Sequence, residues 1–402
     1  MKENSVIRTH VDYPLLICTI LLVGIGLTMV YSASAVLATE KFGEGYFYIK
    51  RMLCYAVVGF GLLAFALHFS YERWKQFALP ILFFSVLLMF CVLMTGLGVS
   101  VSGARRWLAL GPFRFQPSEL AKFAMVLFVA FSLSKKSFSQ IQKFSTGVLP
   151  YLIVGGVVIL LVFAEKDLGA AMVIALLMGL LIFLSGTRIF YLVCLGVSMV
   201  PLLYWVVVQE SYRLRRILSF LNPWEDRFGS GFQIIQSYLA FSEGGLFGKG
   251  LGAGQQKLFY LPEAHTDFIF SVLGEELGLL GVLITLSLFA FFILRGFQIA
   301  AKAPDFFGKY LAMGLTLLIG VQAVLNIGVV MGLLPTKGLV LPFISYGGSS
   351  LLMSLLASGV LLNISTYQQL EEGNSNDENF TGVRRNRWTH FSGNGSGRGI
   401  GK

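Results

Sequence analysis

Glu263, His265, Asp267, Glu275 and Glu276 crowd the run LPEAHTDFIFSVLGEELG, residues 261–278 of a chain with only 13% charged residues and four histidines. Carboxylates and an imidazole so close together suit acid–base chemistry, because each can take or give a proton within hydrogen-bond reach. A plainer reading competes. Aspartate before a helix caps it, for about 1 kcal/mol, and glutamates at the mouth of an apolar segment mark where it meets water. Spacing alone does not choose among Glu263, His265, Asp267 and Glu275. The last lies about 12 Å farther on if a helix begins at Asp267.

Three more polar clusters interrupt the apolar sequence. In GARRWLALGPFRFQPSELAK (103–122), Pro117 suits a first helical turn. Glu119 and Lys122 are then three apart, where an ion pair forms on one helix face. In AEKDLG (164–169), Asp167 has no hydrophilic loop around it and needs a partner or a water-filled cavity. In LLPTKGLVLPFISYGGSS (333–350), prolines and glycines predict non-helical backbone. Near membrane depth such backbone packs on protein or lines a cavity, so Lys337 and Ser345 are expected at a polar cleft. An ordinary helix start, a turn and a surface loop are the bland alternatives. All four clusters fall on one face of the expected topology, and unrelated caps would have no reason to converge.

The elements that must position these groups are membrane spans. Hydrophobic residues make up 55% of the 402 and the mean hydropathy is +0.74, whereas soluble domains average about 25% charged residues. The fold class is an all-α integral membrane protein, since the apolar stretches are long and continuous. Ten are near the ~20-residue spanning length: 14–30, 52–69, 77–98, 117–134, 147–164, 168–185, 189–208, 270–294, 310–331 and 346–364. An even count puts both termini on one side. Basic residues divide almost evenly between the two sides, but the short loops SKKSFSQIQKF (134–144) and RGFQIAAKAPDFFGK (295–309) are basic and are expected inside. A large extracytoplasmic loop, 209–269, then separates spans seven and eight.

That loop opens with SYRLRRILSFLNPWED. Arg213, Arg215 and Arg216 among leucines predict an interfacial amphipathic helix with its bases toward headgroups, ended by Pro223. GGLFGKGLGAG (244–254) predicts an irregular connection. Residues 1–369 form one membrane domain and 370–402 a disordered tail. SASA at 32–35 looks like a cleavage site, yet the apolar run before it exceeds a signal core, so an uncleaved first span is expected. The four cysteines lie in apolar stretches and form neither a disulfide framework nor a metal motif.

The clusters GARRW with QPSELAK, YRLRRILSFLNPWEDRFGSGFQIIQS, LPEAHTDFIFSVLGEELG and LPTKGLVLPFISYGGSSLL resemble the SEDS family (shape, elongation, division and sporulation), over about residues 10–368. The NPWED…GSG…Q run and the lysine of LPTKG are more similar to its division branch than to its elongation branch. The resemblance implies ten spans with cytoplasmic termini, a place in the bacterial inner membrane at the septum, and polymerisation of lipid II into glycan strands outside the membrane. It implies a class B penicillin-binding protein transpeptidase and other division proteins as partners. Asp267 takes the place of the family's catalytic aspartate. Glu119, Lys122 and Asp167 match positions lining its cavity, Arg51 matches a recurring basic position, and with His265, Lys337 and Ser345, which lie in its motifs, these are the substrate-binding candidates. Relatives read QPDLG where this chain reads EKDLG, so the shape of that turn is its own.

The implied chemistry suits these residue types. A carboxylate deprotonates a sugar hydroxyl. Lysine and arginine, with or without a divalent cation such as magnesium or manganese, stabilise the departing diphosphate. An α-linked donor giving a β-linked product requires one displacement and no covalent nucleophile. Outer-face basic residues and an interfacial amphipathic helix suit an anionic lipid substrate and membrane lipids; no nucleic acid is expected as a partner. A flippase moving the same lipid, a non-catalytic scaffold, and an elongation or sporulation paralogue are the alternatives. A flippase would need polar groups through the whole bilayer depth, and a scaffold would leave Asp267 without a task.

Overall fold

The apolar segments fold as helices close to the expected bounds. The computed structural model describes residues 6–8, 10–95, 98–101, 104–111, 113–209, 211–229, 231–258 and 260–369. It begins with α1 (Tyr13–Phe42), α2 (Phe47–His68) and α3 (Trp74–Met94). After α4 (Pro117–Ser134) come two single turns, α5 (Phe138–Ile141) and α6 (Phe144–Gly147). Then follow α7 (Leu149–Ala164), α8 (Leu168–Leu184) and α9 (Ile189–Val208). The long connection holds α10 (Ser211–Leu221) and α11 (Phe232–Gly244). The last three helices are α12 (Ile269–Lys302), α13 (Phe306–Val330) and α14 (Gly348–Ser365). The expected tail, 370–402, lies outside the described residues.

Among the described residues eight helices are long and apolar enough to cross a membrane. Two shorter apolar helices, α8 and the described part of α9, stand at the sixth and seventh expected spans. The architecture is all-α, and five short strands accompany the helices among the described residues. Val6–Arg8 (β1) pairs antiparallel with Tyr367–Gln369 (β5), which joins the start of the chain to the end of α14. Gly98–Val101 (β2), Ala104–Leu110 (β3) and Phe113–Phe115 (β4) form an antiparallel sheet in that order between α3 and α4.

Local chemistry sets several boundaries. Asp12 Oδ1 accepts from Leu15 N (3.0 Å) at the start of α1, and Asp305 Oδ1 from Gly308 N (2.9 Å) at the start of α13. Each satisfies an amide that the helix leaves free. α13 and α14 form the centre, and every residue of α14 is buried or half-buried. No described side chain of α9 is buried, so this helix sits at the rim.

α12 is longer than the expected span 270–294 and is broken. Gly278 has φ 66° and ψ −165° inside it, a backbone only glycine adopts readily. The long loop mends the break. Lys249 N and Gly250 N donate to Glu275 O and Glu276 O (both 3.0 Å), while Leu279 N and Leu280 N donate to Gly245 O (2.9 Å) and Leu246 O (3.2 Å). Backbone freed from a helix within a membrane must find partners in this way. Below the break, residues 279–302 rise about 36 Å, enough for a hydrocarbon core of about 30 Å.

Candidate active site

One end of the bundle encloses a cavity of about 1060 Å³, at the upper end of the range for ligand pockets. The starts of α2 and α4, the β2–β4 sheet, the α7–α8 turn, α10, the loop before α12 and the loop between α13 and α14 all reach it. Arg51, Glu119, Lys122, Asp167, Asp267 and Lys337 line it together. His265 and Ser345 do not.

Asp267 sits in the non-helical run before α12, held from three sides. Asn326 Nδ2 of α13 donates to Asp267 O (2.9 Å), Ser345 Oγ to Thr266 O (2.6 Å), and Tyr346 N to His265 O (3.0 Å). Its surface is only partly covered, yet it lies deep enough for burial to push its carboxyl from 3.8 up to about 7. Glu263 adds to the rise, and Arg106 and Arg216 oppose it. A carboxylate near 7 is half ionised at neutral pH, where a general base works best.

The basic groups come from separate elements. Arg106 of β3 lies 3.6 Å from Asp167 Oδ2, and Gln116 Nε2 donates to the same oxygen (2.9 Å). Asp167 Oδ1 caps α8 by accepting from Ala170 N (2.9 Å). Asp167 is therefore both the plain helix cap and the partner of a cavity arginine. Lys166 beside it has φ 60°, a conformation closed to proline, and it lines the cavity. Lys122 Nζ donates to Glu119 Oε1 (2.8 Å) with both side chains buried. Arg51 lies over the Phe47 ring, 4.3 Å from its centroid.

His265 is buried behind the cavity wall. Its ring packs on Tyr48 (4.7 Å between centroids) and Tyr346 (5.7 Å), and burial lowers its pKa, which keeps it neutral at pH 7. Ser345 Oγ accepts from Leu341 N (2.8 Å) and ties its loop to Thr266. Glu275 and Glu276 are fully buried and absent from the cavity lining. Glu275 accepts from Gln255 N (2.6 Å) and Gln256 N (3.2 Å) and lies 3.5 Å from Lys249 Nζ. Glu276 pairs with Lys257 (2.5 Å) and accepts from Ser32 Oγ. Ser32 belongs to the SASA run, which is helical here with Ser32, Ala33 and Ser34 buried.

Sequence reasoning passes over three contributors. Arg106 lies in the GARRW cluster without being singled out, and β3 turns it into the cavity. Arg216 is expected toward headgroups, but it lines the cavity and donates from Nη1 to Thr336 O (2.9 Å). Arg215, by contrast, is exposed, and the Arg213 side chain lies outside the described residues. Asn326 lies in an apolar segment with nothing nearby to mark it. Among the described residues no three His, Cys, Asp or Glu side chains converge on one point. A divalent cation fits such a site through one or two carboxylates plus ligand phosphates, and Asp267 and Glu263 are the cavity carboxylates that form no ion pair among the described residues.

Residues 13–370 match the family model FtsW, RodA and SpoVE, described as cell cycle protein. A probable peptidoglycan glycosyltransferase FtsW of Geobacter sulfurreducens is 50% identical over 355 residues, 88% of this chain and 95% of that protein. Stage V sporulation protein E of Bacillus subtilis is 44% identical over 362 residues, 90% of this chain and 99% of that protein. A chain from a peptidoglycan synthase complex, solved in work on the coordination of polymerization and crosslinking, superposes with a TM-score of 0.72. It is 30% identical and the match covers 88% of this chain and 97% of that one. Thermus thermophilus RodA gives a TM-score of 0.65 at 28% identity, covering 88% and 96%.

Proposed function

This chain belongs to the cell cycle protein family of FtsW, RodA and SpoVE, and we propose on that premise that Asp267 is the base of its transfer reaction. The protein is a peptidoglycan glycosyltransferase that polymerises lipid II into glycan strands during cell division. The observation that carries the site assignment is a carboxyl held near neutrality at the wall of a cavity rimmed with bases.

Asp267 takes the proton from the attacking sugar hydroxyl. The hydroxyl oxygen bonds to the anomeric carbon of the donor as the bond from that carbon to the diphosphate breaks, inverting its configuration. The polyprenyl diphosphate leaves with its negative charge met by cavity bases, among them Arg106, Arg216, Lys122, Lys166 and Lys337. Arg51 borders the Tyr48 and Tyr346 side, which suits the sugar part of the ligand. A divalent cation, where bound, would supply further charge neutralisation at the diphosphate. His265 and Ser345 serve by holding the aspartate loop against its neighbours.

We assign α8 and α9 as spans six and seven, ten in all. The pairing of β1 with β5 supports an even number, with both termini cytoplasmic. The cavity end and residues 209–269 then face outward, and a class B penicillin-binding protein at the septum is the partner. The test is polymerisation of lipid II by the purified protein, with and without that transpeptidase. Asp267→Asn, which keeps the shape and removes no helix cap, since α12 has no side-chain cap hydrogen bond, is expected to make no glycan while remaining folded and partner-bound. Near-normal turnover by this variant would end the assignment.

A further inference from the structure

α13 presents one buried amide to two different loops. Asn326 is 1% exposed, and its Nδ2 donates to Asp267 O (2.9 Å) and to Leu339 O (2.5 Å). Both neighbours are acceptors, so only the NH₂ group can face them. Its Oδ1 is buried with no partner among the described residues, so the amide holds this orientation although its own acceptor goes unmet. Leu339 also closes the turn over residues 337–339, donating from its N to Lys337 O (2.9 Å).

The same turn touches the reacting group. A methyl on Gly338 would sit 3.0 Å from Asp267 Oδ2, closer than nine in ten real Cβ contacts. Gly338 is not in the left-handed region, so its lack of a side chain answers to space and not to backbone shape. One helix thus sets two things about Asp267. It fixes the peptide that carries the side chain, and it fixes the glycine against which the carboxylate rests. Neither loop has a regular hydrogen-bond ladder of its own here, while α13 is among the most enclosed helices.

We propose that Asn326 is the positioning residue of the Asp267 carboxylate, fixing it against the clearance that Gly338 leaves. The inference rests on Asp267 being the base. Positioning is worth a great deal in such a step, because a displacement of about 1 Å can cost about 100-fold in rate. A supporting shell locked by packing and hydrogen bonds is how that precision is kept.

The experiment uses the full-length protein bound to its transpeptidase partner. It compares wild type, Asn326→Leu, Gly338→Ala and Asp267→Asn in lipid II polymerisation from pH 5.5 to 9. Thermal midpoints and monodispersity are recorded alongside. Asn326→Leu and Gly338→Ala are expected to lower kcat by about 10- to 100-fold with KM little changed, and to move the acid limb of the rate profile. A merely structural amide would change the folded fraction but neither kcat per folded molecule nor that limb. Should Asn326→Leu fail to fold, Gly338→Ala, which removes no hydrogen bond, decides alone. Wild-type kcat and an unmoved limb in the variants, with Asp267→Asn inactive, would overturn the positioning role and leave the base intact. Wild-type turnover in Asp267→Asn would instead remove the base, and this inference with it.

Discussion

Asp267 and the pair Glu275–Glu276 lie within ten residues of each other, yet their surroundings are opposite. The two glutamates are fully buried and closely attended: backbone amides and Lys249 at one, Lys257 and Ser32 at the other. Asp267 lines the cavity, with its backbone fixed and its carboxylate beside Gly338. The difference teaches how to sort acids in one motif. A carboxylate whose acceptor sites are filled by its own chain holds structure. One whose backbone is clamped while its oxygens face a cavity is left with capacity for a substrate proton.

Neutral amides at the two places should separate the two roles. Asp267→Asn is expected to abolish polymerisation. The rise of its pKa to about 7 means that the fold prefers the neutral carboxyl. The corresponding stabilisation is complete below the unfolded value near 3.8 and is lost as pH rises through about 7, so asparagine should hold or raise the thermal midpoint at pH 8. Such a gain at a functional site is a familiar trade between stability and activity. Lys257→Met should do the reverse. Breaking a buried pair by removing one partner costs about 3–5 kcal/mol, so the folded fraction and midpoint should fall, and Lys257→Met with Glu276→Gln should recover part of the loss. A midpoint unchanged in Lys257→Met would show that this pair does not clamp the loop.

How much of this was readable in advance differs between the same two places. The apolar runs placed the helices well, α9 at 189–208 included, and Pro117 and the proline- and glycine-rich 333–350 run behaved as their backbone chemistry requires. Asp267 came from the resemblance of its motif; spacing left it level with Glu275. The partners of Glu276 could not be read at all, because Ser32 is 244 residues away in sequence. Gly278 looked like any tolerated glycine in an apolar helix. The β2–β4 sheet was missed because its strands hold four, seven and three residues. Strands so short carry little periodic signal.

The acid limb of activity is the next effect in size. If Asp267 acts ionised, log kcat/KM should rise with unit slope up to about pH 7 and then level, since each pH unit below the pKa removes about nine-tenths of the base. A flat profile between pH 5.5 and 7.5 would contradict that. Lys122→Met is expected to reduce polymerisation, but the structure complicates its reading. The variant leaves Glu119 buried without its partner, and lost stability follows from that alone. Comparison with Glu119→Gln and Lys122→Met combined separates the roles. Turnover per folded molecule that stays low in the double variant marks Lys122 as a substrate contact. Full recovery marks the pair as structural.

The smallest expected effect is at Glu165, a third kind of acid. Like Glu276 it is buried, but both its oxygens lack partners among the described residues. Like Asp267 its pKa is raised, here to about 8, chiefly by burial and then by Asp167, against the pull of Arg106. It is outside the cavity lining, so it has the raised pKa of a base without access to substrate. A carboxyl so placed is neutral at pH 7. Its contribution to stability is whole below the unfolded value near 4.5 and fades as pH climbs through about 8, where the fold must hold a negative charge beside Asp167. Glutamine keeps the neutral shape at every pH. Glu165→Gln should therefore leave the thermal midpoint almost unchanged near pH 4 and raise it progressively up to pH 9, with polymerisation at pH 7 near wild type. An equal shift at both pH values would show that the carboxyl does not titrate in this range. A large loss of polymerisation would join Glu165 to the site through the Asp167–Arg106 pair, and the sorting of acids by access to the cavity would have to be redrawn.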